Sequence, residues 1–175
     1  MAGMAEETTM KILVVEDNSL HQEAARILLA EHDVTVVESF TDFFDKVTGV
    51  QSNVPEHCVP PEQDLASFDV VLTDVNLPSH HGEAATGFVV ALKALATGVK
   101  RIGIITDANH HRDSYGKALD LSFNGVKTKD KWGWGQRIVV GDTRIAVECY
   151  HATTDIGNGR DGKNWKRLLD ILAAD

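Results

Sequence analysis

Short apolar runs that alternate with helical patterns constrain the fold of this chain more than any other feature of its sequence. The runs are Lys11–Val15, Val34–Val37, Val70–Thr73 and Ile102–Ile105. Such continuous apolar runs are typical of strands that are buried on both faces. Because helical segments lie between them, we expect a parallel sheet that is covered by helices on both sides.

Polar capping residues and apolar periodicity predict the helices. Asn18 or Ser19 can cap a first helix, and Ser39 or Thr41 can cap a short second one. The first helix would bury one face, consisting of Leu20, Ala24, Ile27 and Leu28. The remaining predicted helices cover Thr86–Thr97, His110–Leu121 and Lys163–Ala174.

The last third of the chain departs from this alternation. A fifth, short strand is predicted at Asn124–Lys127, and Gly141-Asp142 is a turn that would close a β-hairpin over Arg137–Val147. In an alternative register, the fifth strand is Ile145–Cys149. The glycine-rich run Gly157–Gly162 favours a flexible linker.

These patterns indicate one domain with additions. Residues 1–9 form an acidic leader, and residues 10–175 form the domain. Prolines at 55, 60 and 61 predict a loop insertion over residues 48–67, and residues 128–161 form a hairpin extension before the last helix.

Two of the apolar runs end at carboxylates. Glu16 and Asp17 follow the first run, and Asp74 follows the run Val70–Thr73. The carboxyl ends of parallel strands meet at one edge of a sheet, where ligands bind in α/β proteins. Three carboxylates that lie together repel one another and are tolerated with a hard cation such as Mg²⁺. The acids therefore predict a divalent-metal site suited to phosphoryl chemistry.

The bulk composition excludes several classes of protein. The net charge is −9, which argues against a nucleic-acid-binding surface. No apolar stretch approaches the length of a membrane span, and residues 1–9 lack the apolar core of a signal peptide. The two cysteines, Cys58 and Cys149, form no CxxC pair. We therefore expect a cytoplasmic protein with no membrane or nucleic-acid partner.

Three segments together resemble the receiver domain of a two-component response regulator: Lys11–Asn18, Asp69–Pro78 and Ile104–Ala108. The resemblance covers roughly residues 10–127. It implies an α/β fold with a doubly wound, parallel, five-stranded sheet of the flavodoxin-like type. It also implies a stand-alone phosphorelay switch, whose partners would be a histidine kinase or histidine phosphotransfer protein and a downstream protein.

The resemblance also assigns roles to individual residues. Asp74 would accept the phosphoryl group, and Glu16, Asp17, Asp74 and the backbone carbonyl of Asn76 would hold Mg²⁺. Thr106 would hydrogen-bond a phosphoryl oxygen, and Lys127 would pair with the phosphoryl group or with Asp74. Phosphorylation would then alter a surface around the fourth helix and fifth strand.

The sequence departs from the receiver pattern near this lysine. Thr128 stands where receivers usually have proline, and Lys129 and Lys131 compete with Lys127 for its role. In the alternative register, in which Ile145–Cys149 is the fifth strand, no lysine follows the strand in the place of Lys127. Receivers often carry an aromatic residue a few positions before this lysine. Phe123 is the nearest one here, four positions before Lys127, in a register that the sequence leaves open.

Other features allow further interpretations. The pairs His80-His81 and His110-His111 lack the spacing of a known metal motif, and Trp132-Gly133-Trp134 is typical of an anchor for the extension. A degenerate receiver that binds a partner constitutively is one alternative function. A phosphatase of the haloacid-dehalogenase type is another, although Asn76 stands where that class needs a second aspartate.

Overall fold

A computed structural model describes residues 8–48, 64–79, 82–106, 136–148 and 152–174. In chain order its elements are β1 (Lys11–Val15), α1 (Ser19–Leu28), β2 (Asp33–Val37), α2 (Phe40–Asp42, continued by the π-helical Phe43–Thr48), a 3₁₀ turn (Leu65–Ser67), β3 (Val70–Asp74), β4 (Leu77–Ser79), β5 (Gly82–Ala84), α3 (Gly87–Ala96), β6 (Arg101–Ile105), β7 (Gln136–Val140), β8 (Thr143–Glu148), β9 (Thr153–Asp155), β10 (Asp161–Lys163) and α4 (Trp165–Ala173). None of the described helices is both long and apolar enough to cross a membrane.

The centre of the molecule is a six-stranded sheet with the order β2-β1-β3-β6-β8-β7. Every neighbouring pair is parallel except β7 and β8, which are antiparallel. From β1 the chain first extends the sheet on one side with β2, and then crosses to the other side with β3. The strand order therefore reverses between β1 and β3, and a crevice for a ligand is expected at their carboxyl ends.

Two hydrophobic cores cover the two faces of this sheet. Leu13 and Val15 of β1 belong to the core that includes residues of α2 and α3. Ile12 and Val14 point to the other face, where the core includes residues of α1 and α4. The alternation along β1 confirms the prediction that its strand is buried on both faces.

Most predicted elements before residue 107 are confirmed, and of the predicted buried face of α1, Ala24 is buried and Leu28 packs against the core, whereas Ile27 was predicted wrongly. Asn18 caps α1, because its side chain accepts a hydrogen bond from the Leu20 amide. Ile27, which was placed on the buried face, is 46% exposed. The helix instead buries His21 and Gln22 beside its two alanines, because these polar side chains hydrogen-bond groups at the carboxyl edge of the sheet.

The predicted hairpin exists, but it belongs to the central sheet. Its second strand, β8, pairs in parallel with β6, and Ile145 lies opposite Ile102. This is the place expected for the fifth strand in the alternative register, and β7 adds a sixth strand at the edge. The predicted strand Asn124–Lys127 and the predicted helix His110–Leu121 lie outside the described residues.

The segment predicted as a linker and helix start forms a second hairpin. β9 and β10 pair antiparallel around a turn at residues 156–160, where Gly157 and Gly159 have positive φ angles. Asn164 caps the last helix, because its side chain accepts a hydrogen bond from the Arg167 amide. The helix therefore begins at Trp165, and Lys163 lies in β10.

Candidate functional site

A polar pocket of about 170 Å³ opens at the carboxyl ends of β1 and β3, where the strand order reverses. Its walls come from the ends of these strands, the start of α1 and the end of β10. The lining residues are Glu16, Asp17, Asn18, His21, Asp74, Asn76 and Lys163. The two acidic segments and Asn76, which are distant in sequence, are therefore brought together by the sheet.

The three acids form a compact group. One carboxylate oxygen from each of Glu16, Asp17 and Asp74 lies within 4.8 Å of the others. Glu16 and Asp74 are buried, whereas Asp17 is open to solvent. The acidic group is therefore buried at Glu16 and Asp74 and reachable from solvent at Asp17.

Backbone groups hold the carboxyl end of β3 in place. The Val75 amide donates to Asp74 Oδ1 over 2.7 Å, and the Val75 carbonyl accepts from the Gly87 amide over 3.0 Å. A Cβ atom on Gly87 would lie 1.7 Å from the Asp74 carbonyl oxygen, so glycine is required for this close approach. The start of α3 is thus packed directly against the backbone of Asp74.

The opposite wall is fixed in the same way. Glu16 Oε1 accepts from the Asn18 amide over 3.0 Å. The Gln22 side chain donates to the backbone carbonyl of Glu16 over 2.9 Å, and to that of Asp17 over 3.4 Å. The first turn of α1 therefore orients both acids of this pair.

Lys163 joins the two walls. Its ammonium nitrogen lies 2.7 Å from Glu16 Oε2 and 2.9 Å from Asp74 Oδ1. The lysine side chain is 1% exposed, so this bridge is shielded from solvent. A buried charge must be paired to be tolerated, and here one ammonium group pairs with two carboxylates.

The charges of the site alter its proton affinities. Burial, opposed by Lys163 and reinforced by the charge of Asp74, raises the pKa of Glu16 from 4.5 to about 7. Burial alone would lower the pKa of Lys163, but the attraction of Glu16 and Asp74 outweighs it, and that pKa is raised. Lys163 is therefore a cation at neutral pH, while Glu16 is partly protonated.

The remaining predicted residues are distributed unevenly. Thr106 is buried and follows β6, one residue beyond Ile105, which is the register partner of Asp74. Its amide donates to the Glu148 carbonyl over 3.1 Å, and it is not among the residues that line the pocket. Asn76 does line the pocket. Several residues singled out in the sequence lie outside the described residues. They are Lys127, Lys129, Lys131, Phe123, the pairs His80-His81 and His110-His111, and Trp132-Gly133-Trp134.

Lys163 was not among the site residues predicted from the sequence. The residue was placed at the start of the last helix, after a presumed linker, because no local pattern links it to acids 89 and 147 residues away. One local signal was available: Asn164 is a good helix cap, so a helix could begin after it and leave Lys163 at a strand end.

The donor set fits a hard divalent cation. Carboxylate oxygens from three residues converge, and no softer ligand is among them. Both oxygens of Glu16 already accept hydrogen bonds from Asn18 and Lys163, whereas Asp17 is open to solvent. Asp17 is therefore better placed than Glu16 to bind Mg²⁺ directly, and Glu16 would act through water.

No family model, curated protein or solved structure matches this chain.

Proposed function

We propose that this protein is a phosphoryl-accepting signalling domain of the receiver type, in which Asp74 is the acceptor. The observation that carries the proposal is the contact of the Lys163 ammonium with Asp74 and Glu16, beside Asp17, where the strand order reverses. The parallel strands β2-β1-β3-β6-β8 also follow the strand order of the flavodoxin-like fold. A carboxylate nucleophile, acids for a cation and a buried lysine are the groups that such a reaction needs.

The reaction would be a transfer between a phosphohistidine and Asp74. A carboxylate oxygen of Asp74 attacks phosphorus and forms a P–O bond, while the P–N bond to the donor imidazole breaks. The electron pair of that bond stays on the imidazole nitrogen, which takes a proton from solvent. The product is an acyl phosphate on Asp74. Bound Mg²⁺ would offset the negative charge on the phosphoryl oxygens during transfer.

The residues of the pocket would divide the remaining tasks. Asp17 and Asp74, with Asn76 through its backbone carbonyl, would hold the cation, and Glu16 would orient it through water. Lys163 would remain near Asp74 and compensate the charge of the phosphoryl group. Thr106 would hydrogen-bond a phosphoryl oxygen from the neighbouring strand end. This division gives Lys163 the role that the resemblance assigned to Lys127.

The proposal includes a histidine kinase or histidine phosphotransfer protein as the donor and a downstream protein as the receiver of the signal. It places the protein in the cytoplasm, where such donors present their phosphohistidine. The acidic net charge supports a protein partner over a nucleic acid.

A degenerate receiver is the second candidate, and one observation favours it. Lys163 already neutralises part of the acidic group, so the pocket has a cation without any metal. A chain of this kind would hold its fold and bind a partner without phosphorylation.

Incubation with acetyl phosphate and Mg²⁺ distinguishes these functions. We expect wild-type protein to gain the mass of one phosphoryl group, which hydroxylamine removes, and we expect Asp74→Asn to gain none. Asp69→Asn is a matched control, because Asp69 lies at the opposite end of β3 and accepts from the Lys11 amide. Absence of an adduct on wild type would support the degenerate receiver, and turnover of phosphate monoesters would support the phosphatase.

A further inference from the structure

The lysine of the pocket is carried by a hairpin outside the central sheet. β9 and β10 form a two-stranded sheet of their own, with Lys163 opposite Thr153. A two-stranded hairpin has little stability by itself, so its position depends on the surface against which it docks. For this hairpin that surface is α1.

Two contacts fix the hairpin on α1 at a distance from the pocket. A Cβ atom on Gly162 would lie 2.5 Å from the Ala24 Cβ, so the backbone of β10 lies directly against the helix. Arg160, just before β10, binds Glu23 with both terminal nitrogens, over 2.7 and 2.9 Å. A bidentate pair of this kind fixes orientation as well as distance.

A third contact lies next to the pocket itself. His21 Nδ1 accepts a hydrogen bond from the backbone amide of Lys163 over 3.3 Å. The His21 carbonyl accepts from the indole nitrogen of Trp165 over 2.9 Å, on the other side of the lysine. One residue of α1 therefore holds the chain on both sides of the residue whose side chain contacts Asp74.

We propose that His21 and the Arg160–Glu23 pair are positioning residues, which act on the reaction at Asp74 through Lys163. This inference rests on the proposed function. The ammonium group lies within 3 Å of two carboxylates, and a displacement of its backbone by about 1 Å would remove a contact on which transfer depends. α1 thus contributes to the reaction through the position of Lys163.

The coupling operates in both directions. If docking of the hairpin changes the affinity of Asp74 for a phosphoryl group, a phosphoryl group on Asp74 must change the docking of the hairpin by the same factor. The surface of α1 and β9–β10 then differs between the two states.

The test measures the rate constant for phosphorylation of the full chain by acetyl phosphate, by intact mass. We expect Arg160→Ala to slow the reaction by about 2- to 5-fold, since the pair is partly exposed. The exchanged pair Glu23→Arg with Arg160→Glu should recover most of the rate. His21→Leu should slow the reaction, and His21→Asn, which retains an acceptor near the Nδ1 position, should slow it less. Lys100→Ala removes an exposed pair with Asp142 in the turn between β7 and β8 and should leave the rate unchanged.

A double-mutant cycle separates positioning from general stability. In a Lys163→Met background, Arg160→Ala should have no further effect on the rate, because its route of action is gone. An equal slowing in both backgrounds would overturn the inference, as would wild-type rates for Arg160→Ala and His21→Leu. If the Arg160→Ala variant does not fold, Glu23→Gln, which removes the charge of the other partner, gives the same decision in both backgrounds. An adduct that forms normally in all these variants refutes the inference alone, whereas wild type without an adduct refutes the proposed function and the inference with it.

Discussion

Two buried glutamates near the carboxyl edge of the sheet are each paired with a cation from the last part of the chain, but with different charge balance. Glu148, at the end of β8, accepts from Arg167 Nε over 2.8 Å. Glu16, just after β1, accepts from Lys163 over 2.7 Å, and the same lysine also contacts Asp74. Glu148 is therefore paired with one guanidinium group, while Glu16 shares its cation with Asp74 and lies beside Asp17.

The difference in balance separates a structural pair from a functional group. Glu148 with Arg167 can be buried at a modest cost, because the charges cancel locally. Three carboxylates near one ammonium group leave an excess of negative charge. The pKa of Glu16 is raised mainly by burial, and the charge of Asp74 adds to this effect. Excess charge in a folded protein is typical of a place where a ligand of opposite sign binds.

Replacement of Lys163 and of Arg167 by methionine should give the largest difference in the free energy of unfolding between the two regions. Lys163→Met leaves Glu16 and Asp74 buried without a cation, so we expect the free energy of unfolding to fall by about 3 to 5 kcal/mol in the absence of metal. Mg²⁺ should restore part of this loss, because an ion that binds only the folded state stabilises it. Urea unfolding with EDTA and with Mg²⁺ measures both effects. A loss smaller than that of Arg167→Met would break the comparison.

The pH dependence of the free energy of unfolding should differ between wild type and Glu16→Gln. Its pKa is 4.5 in the unfolded chain and about 7 in the folded protein, so the folded state binds the proton more tightly. Stability must then fall as the pH rises from about 4.5 to about 7. We expect metal-free wild type to lose up to about 3 kcal/mol relative to Glu16→Gln across this range.

Lys163 does not complicate this measurement, because its raised pKa keeps it charged throughout the range. Unfolding in EDTA at a series of pH values, for wild type and Glu16→Gln, provides the two curves. Parallel curves would show that Glu16 has no raised pKa and that its environment is no different from that of a paired acid.

Of the three predicted effects on stability, that of Arg167→Met should be the smallest. The guanidinium is 30% exposed, so solvent and side-chain rearrangement compensate for part of the lost pair with Glu148. We expect a loss of about 2 kcal/mol that Mg²⁺ does not restore. A recovery with Mg²⁺ equal to that of Lys163→Met would mean that Glu148 belongs to the cation site.

The sequence contained enough information for the strands and for the acids at their ends. β1, β3 and β6 are apolar apart from their end residues, and an acid at the carboxyl end of such a strand lies at the sheet edge wherever the strand is placed. Local signals of this kind need no knowledge of distant contacts. For the same reason each observed helix cap, Asn18 and Ser39, was one of the two residues predicted for its position.

The lysine and the buried face of α1 could not be predicted in this way, because distant contacts decide them. Lys163 reaches the pocket only because β10 docks on α1, and Gly162 permits that contact by lacking a side chain. The same docking turns His21 inward and leaves Ile27 exposed. Pairing between β8 and β6 similarly depends on residues 43 positions apart, which no local periodicity reveals.

The most direct test of the central claim is to locate the phosphoryl group. Wild-type protein is incubated with acetyl phosphate and Mg²⁺, and borohydride then reduces the acyl phosphate carbonyl to an alcohol, which marks the modified residue for peptide mass spectrometry. The account predicts that the mark lies on Asp74, requires Mg²⁺ and is absent from Asp74→Asn. A mark on any other residue, or a wild-type protein that carries none, would contradict it.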